Sequence, residues 1–236
     1  MKHIGIVAGS SEGAALCYRT ICAEAAPLLG PHEHPEVSLH GYALAEYVRC
    51  IERGDWDGVG ALMLGSAEKL TAIGARLLIC PDNTHHRAFS YVASRSKAPW
   101  LHIADVVASE AAVRGYRRVG LTGTRWLVDS DVYPESLSKH GVECVRPDPS
   151  GRIETSRIIM EELVYGTFRP ESLTILQGVI SRLKESQCDA VVLGCTELPL
   201  ILDDSNSALP TLDSTRLLAR AALRAALQDE EPSVLP

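Results

Sequence analysis

Two residues in this chain stand where a strand end would deliver a reactive side chain into a crevice. Cys195 follows a short apolar run, Val191-Val192-Leu193, and a glycine, Gly194, and is followed at once by Thr196 and Glu197. A buried strand that ends in this way delivers its last side chains into a crevice, and open parallel sheets bind ligands at the carboxyl ends of their strands. The earlier half has a counterpart. The run Ala75–Pro81 leads into Asp82-Asn83-Thr84-His85-His86. Asp82 and Cys195 across one gap would make an acid/base pair of unlike chemistry. Each residue also has a plainer reading. Free cysteine is among the most buried residue types, and aspartate before Asn-Thr-His is an ordinary helix N-cap.

The two groups differ in strength. A carboxylate near pKa 4 is a weaker base than a thiolate near 8.5, a deficit of roughly 6 kcal/mol in driving force for removing a carbon-bound proton. Burial of Asp82 would shrink that deficit by raising its pKa, and a charged His85 or His86 beside it would do the opposite. Cys195 needs a lowered pKa to act, which the N-terminus of a following helix and Thr196 would supply. Glu197 is expected to point away or to serve as a hydrogen-bond partner.

Hydroxyls and glycines cluster at three strand ends: Gly9–Ser11, Thr122–Thr124 and Gly194–Thr196. Together they could converge on one anion. The expected substrate contacts are Ser10, Ser11, Asn83, Thr84, Thr124 and Thr196. Gly5, Gly9 and Gly13 have the wrong spacing for a dinucleotide fingerprint. The first turn instead suits a small anion at a helix N-terminus, or Ser10 simply caps that helix. His32 and His34 lack a third ligand nearby, so no metal site is expected.

The elements that must position these residues alternate. Strands are expected at Ile4–Val7, Val37–His40, 75–80, Trp100–Ile103, Arg118–Leu121, Glu143–Val145, 191–194 and 209–212. Helices are expected at Ala14–Leu29, Ala43–Arg53, Asp57–Ile73, Arg87–Ser96, Val106–Arg114, Glu154–Val164, Glu171–Glu185 and Arg216–Leu227, with Asp105 opening the fifth. The tail, Asp229–Pro236, is expected to fray. This alternation argues for an α/β fold of parallel sheets with helices on both faces. Two similar α/β units are expected: residues 1–98 with 212–236, and 99–211.

Composition narrows the class. Of 236 residues, 46% are apolar and 22% charged, as in an ordinary soluble enzyme. A net charge of −7 disfavours nucleic acid as a partner. Seven cysteines without a CxxC pair read as reduced thiols in a cytoplasmic protein. No run approaches the ~20 apolar residues of a membrane span, and no signal peptide is expected.

Several segments in combination carry a resemblance: IGIVAGSS (4–11), CPDNTHH (80–86), LHIADV (101–106), VGLTGTRW (119–126), VVLGCTELP (191–199) and LPTLDST (209–215). Through them the chain resembles the cofactor-independent aspartate/glutamate racemase superfamily, most closely the broad-substrate aspartate/glutamate racemases. The resemblance implies two pseudo-symmetric flavodoxin-like units, a site between them and a homodimer. It also implies 1,1-proton transfer alpha to a carboxylate without metal or pyridoxal phosphate. Most members flank the substrate with two cysteines. Here the second matches Cys195, whereas Asp82 stands at the first position and Cys80 lies two residues upstream, deeper on the same face. Relatives with threonine at the first position still racemise; those with glycine there and a single cysteine are arylmalonate decarboxylases.

The leading expectation is an amino-acid racemase acting on aspartate, glutamate or a related carboxylate, with Cys195 and Asp82 on opposite faces. Arg49, Arg125 and His86 are unranked candidates for binding a distal carboxylate. The alternatives are a malonate decarboxylase in which Cys195 protonates a carbanion, and a non-catalytic amino-acid-binding protein.

Overall fold

Short runs of Ile, Val and Leu become fully buried strands here because helices cover both faces of each sheet. The computed structural model describes residues 1–228; the tail expected to fray lies outside them. The first part of the chain runs β1 (Ile4–Ala8), α1 (Ser11–Leu29), β2 (Val37–Gly41), α2 (Leu44–Glu52), α3 (Trp56–Ala72), β3 (Leu77–Ile79) and α4 (Phe89–Ala93). Then follow α5 (Ile103–Val113), β4 (Arg118–Thr122), α6 (Arg125–Val128), α7 (Val132–Ser138), β5 (Glu143–Val145), α8 (Pro149–Glu161) and α9 (Pro170–Glu185). The chain closes with β6 (Ala190–Leu193), β7 (Thr211–Asp213) and α10 (Ser214–Leu227).

Two sheets form, ordered β2-β1-β3 and β5-β4-β6-β7, and every strand pairing is parallel. Successive side chains on a strand point to opposite faces, and the core divides accordingly. Ile4 and Ile6 of β1 pack with Cys17 and Ile21 of α1 and with Leu218 of α10. Val7 and Leu78 pack on the other face with Met63 and Leu70 of α3. In the second sheet Leu121 and Val192 meet α5 and α7, while Val191 and Leu193 meet α8 and α9. Parallel pairing puts the loops after β1, β3, β4 and β6 at carboxyl ends of strands, where a crevice opens.

Several expected elements differ. The helix placed at Arg87–Ser96 is a 3₁₀ turn, Asn83–Ala88, running into the single turn of α4. The extended segment Trp100–Ile103 reduces to one bridge between Trp100 and Leu78. Helix α5 already begins at Ile103, capped by His102, whose Nδ1 accepts the Asp105 N–H at 3.4 Å. Helix α8 begins earlier than expected, at Pro149, because Asp148 caps it and proline suits a first turn.

Candidate active site

Asp82 occupies the N-cap position of the 3₁₀ turn, yet its side chain caps nothing there. It reaches across to the loop after β1. Oδ2 accepts the Gly9 N–H at 2.9 Å, and Oδ1 accepts the Ser10 N–H at 3.1 Å. The N–H groups before α1 do hold an anion, and that anion is the chain's own carboxylate. Gly9 permits this contact: a Cβ there would strike the His85 ring and come within 2.8 Å of Asp82 Oδ2. Ser10 is also the N-cap of α1, its Oγ accepting the Gly13 N–H at 3.2 Å.

Cys195 leaves β6 through Gly194, whose backbone lies against Gly123 at the end of β4. Its thiol donates to Glu197 Oε2 at 2.9 Å, and the same oxygen accepts the Thr196 hydroxyl at 2.7 Å. Thr196 Oγ1 lies 3.0 Å from Ser10 Oγ, which ties the loop after β6 to the loop after β1. A second tie links Thr84 Oγ1 to Thr124 Oγ1 at 3.0 Å. The three hydroxyl-bearing loops thus converge with the Asp82 loop on a single cleft.

That cleft has about 560 Å³ of empty space, including its mouth to solvent. Its polar lining includes Ser10, Asp82, Thr84, Thr124, Cys195 and Glu197. Its apolar lining is built from Leu44, Val48 and Ile51 of α2, Trp126 of α6, Ile159 and Met160 of α8, and Val164 in the turn after α8. Asn83 and Thr196 also border it. Asn83 contributes little side-chain chemistry, because its Oδ1 accepts from Tyr133 at 2.6 Å and its Nδ2 donates to Ser214 at 2.9 Å. Ser11 stands exposed on the first turn of α1, outside the lining.

None of the three candidate cations reaches the lining. Arg49 is exposed on α2, and Arg125 stacks over Trp126 at 4.7 Å in the neighbouring groove. His86 is buried behind the cleft against the Cys80 carbonyl and His102. Of the two expectations for Glu197, pointing away or serving as a hydrogen-bond partner, the second is what the structure shows. The apolar lining escaped the sequence. It was present as the i, i+4, i+7 spacing of Leu44, Val48 and Ile51, a pattern that equally describes any core-facing helix.

Burial governs the charges. Asp82 opens only toward the cleft, and desolvation followed by repulsion from Glu197 raises its pKa to about 7 against the Gly9 and Ser10 hydrogen bonds. Burial also pushes the Cys195 thiol well above its ordinary value, with Glu197 next in effect. The expected lowering by a helix N-terminus does not prevail, since only a three-residue 3₁₀ turn, Leu198–Leu200, follows. His85, stacked on Tyr47 at 4.2 Å, is driven down to about 3 by burial. His86 is likewise held neutral. Neither histidine opposes the rise at Asp82.

Cys80 is fully buried, with Sγ 3.8 Å from His85 Nδ1, and does not line the cleft. Cys80, Asp82 and His85 bring one potential ligand atom each within 4.8 Å of one another. Both Asp82 oxygens already accept N–H bonds and burial keeps the Cys80 thiol protonated, so Cys80 packs behind the site against His85, which borders the cleft with Asp82.

The fold is a pair of parallel α/β sheets, and a thiol and a carboxylate from their strand ends border one cleft, the architecture of a racemase-type isomerase. The model of the Asp/Glu/hydantoin racemase family matches residues 6–222, and the chain belongs to that family. A candidate Asp/Glu racemase from Yersinia pestis superposes with a TM-score of 0.87 at 31% identity, covering 97% of this chain and all of that one. An aspartate racemase homologue from Pyrococcus horikoshii superposes with a TM-score of 0.82 at 28% identity and the same coverage. The broad specificity amino-acid racemase of Bacillus subtilis is 24% identical over 172 residues, 72% of this chain and 73% of that protein.

Proposed function

We propose that this chain racemises an α-amino acid by 1,1-proton transfer, with Cys195 and Asp82 as the two acid/base groups. The observation that carries the reading is that a thiol from the second sheet and a carboxylate with a pKa near 7 from the first line one cleft. In one direction the single proton shared by the pair rests on Asp82, and Cys195, hydrogen-bonded to Glu197 at 2.9 Å, is the thiolate. The thiolate removes the α-proton, and the C–H electron pair moves into the substrate carboxylate. Protonated Asp82 delivers its proton to the opposite face, giving the other enantiomer. The reverse direction begins with Asp82 as carboxylate and Cys195 as thiol.

The developing charge on the substrate carboxylate needs donors. Among the described residues, no protein acceptor takes the N–H of Asn83, Thr84 or Thr196. These groups, with the Thr84 and Thr124 hydroxyls, are the proposed oxyanion donors. The reading uses neither metal nor pyridoxal phosphate for the proton transfer. Seven unpaired cysteines support a reducing compartment and hence the cytoplasm. The family reading also supports a homodimer as the proposed assembly, and sedimentation velocity tests it.

The deciding experiment is α-proton exchange in D2O, followed by NMR and chiral chromatography, with both enantiomers of leucine, methionine, phenylalanine, alanine, aspartate and glutamate. Exchange with inversion is expected for at least one pair. Exchange with retention only would reduce the site to one base, and carbon dioxide release from a malonate without any exchange would replace racemisation by decarboxylation.

A further inference from the structure

We infer that the substrate side chain is apolar and that the cleft rejects aspartate and glutamate. This rests on the racemase reading and concerns the apolar lining of the cleft. Three observations carry it.

The first is the lining itself. Leu44, Val48 and Ile51 stand at i, i+4 and i+7 on one face of α2, so all three present to the same space. Trp126, Met160 and Val164 face them from the second sheet's side. A carboxylate pushed among these groups would lose its water and gain no partner, the situation in which burial of charge is most unfavourable.

The second is the absence of a cation. Among the described residues, no Lys or Arg lines the cleft. The nearby guanidinium groups are engaged elsewhere: Arg87 lies 3.8 Å over the Trp56 ring and donates to the Trp126 carbonyl, and Arg125 lies against Trp126 in the adjoining groove. His85, the remaining basic side chain at the lining, is stacked on Tyr47 and neutral.

The third is the sign of what is present. Asp82 and Glu197 both border the cleft. A zwitterionic amino acid brings one carboxylate for the N–H groups and one ammonium for these acids. A dicarboxylate brings a second negative charge that meets only repulsion and hydrocarbon.

The test is the relative kcat/KM for exchange across the same panel, measured in competition. Leucine, methionine and phenylalanine are expected to exceed aspartate and glutamate by about 100-fold or more, and alanine, which leaves the apolar lining uncovered, by about tenfold or more. Aspartate or glutamate exchanging as well as leucine would overturn the inference while leaving the racemase reading intact. No exchange with any member would remove both. Two variants locate the preference. Val48→Arg is expected to lower leucine turnover and raise the aspartate-to-leucine ratio at least tenfold. Met160→Ala is expected to cut phenylalanine and methionine about tenfold while alanine stays within about threefold. Equal loss for all substrates in Met160→Ala would place the side chain elsewhere and overturn the assignment, whether or not Val48→Arg folds.

Discussion

Asp82 and Cys195 hold their protons for the same reason, burial, but not equally tightly. Asp82 titrates near 7, whereas the Cys195 thiol ionises well above its ordinary range. Below pH 7 both groups carry protons and the site has no base. As the pH rises through about 7 Asp82 loses its proton, leaving one base and one acid, and the single remaining proton can sit on either group. We therefore expect kcat/KM to rise about tenfold per unit up to pH 7 and then level. The two enantiomers should show the same profile, since their equilibrium constant is one. Asp82→Asn should remove the limb at 7 and lower racemisation by about 10³-fold. Cys195 should still exchange the α-proton of the one enantiomer that presents it. Equal loss of exchange from both enantiomers would end the two-base assignment. Glu197→Gln tests the third carboxylate. Because Glu197 raises the Asp82 pKa, the acid limb should move below 7 as activity falls. A limb that stays at 7 would leave Glu197 only a structural role. The placement of Cys195 and Asp82 at strand ends was legible in the sequence because each follows an apolar run that had to be a strand. For Glu197 two outcomes stayed open, pointing away or hydrogen bonding, since the side chain two residues on is aimed by a turn whose type the sequence leaves open.

The elements do more than carry these residues; close approaches between them fix where the residues sit. Tyr133 of α7 donates to Asn83, Asn83 donates to Ser214 at the start of α10, and Ser214 donates to the Leu193 carbonyl of β6 at 2.8 Å. This chain is buried and joins the loop after β3 to the second sheet. Tyr133→Phe leaves Asn83 Oδ1 without its donor, so we expect a loss of about 1–3 kcal/mol in denaturant unfolding. Its effect on kcat should be small, because the Asn83 side chain is already committed to structure. Gly9→Ala should behave in the opposite way. Its Cβ meets His85 and the Asp82 carboxylate, and displacing a proton-transfer group by about 1 Å costs on the order of 100-fold in rate. A Gly9→Ala enzyme with full activity would show that the Gly9–Asp82 contact does not position the acid. Strands and long helices were readable from apolar periodicity. The 3₁₀ turn at Asn83 was not, because its buried polar residues are fixed by Tyr133, Ser214 and Tyr47, which are distant in sequence.

At the scale of the molecule, the site exists only while the two sheets keep their relative position, and α10 is the element that holds them. It leaves β7 of the second sheet and packs its Leu218, Ala219 and Ala222 with Ile4 and Ile6 of the first. Arg220 clamps Glu24 of α1 through both carboxylate oxygens, at 2.8 to 3.0 Å. The pair is partly exposed, so its contribution is small beside the apolar contact. Leu218 is fully buried, and Leu218→Ala should cost about 2–5 kcal/mol. The cost falls on the contact by which α10, leaving the second sheet, packs on the first. The chain should therefore still unfold in one transition, with tryptophan fluorescence from Trp56, Trp100 and Trp126 and far-ultraviolet circular dichroism moving together at a lower midpoint. Activity should disappear with that transition and not before it. If α10 merely decorated the first sheet, the signals would separate and Trp126, on the second sheet's side, would keep its native signal beyond the first step. A single shifted transition would show that the cleft and the fold share one cooperative unit, as expected when the acid comes from one sheet and the thiol from the other.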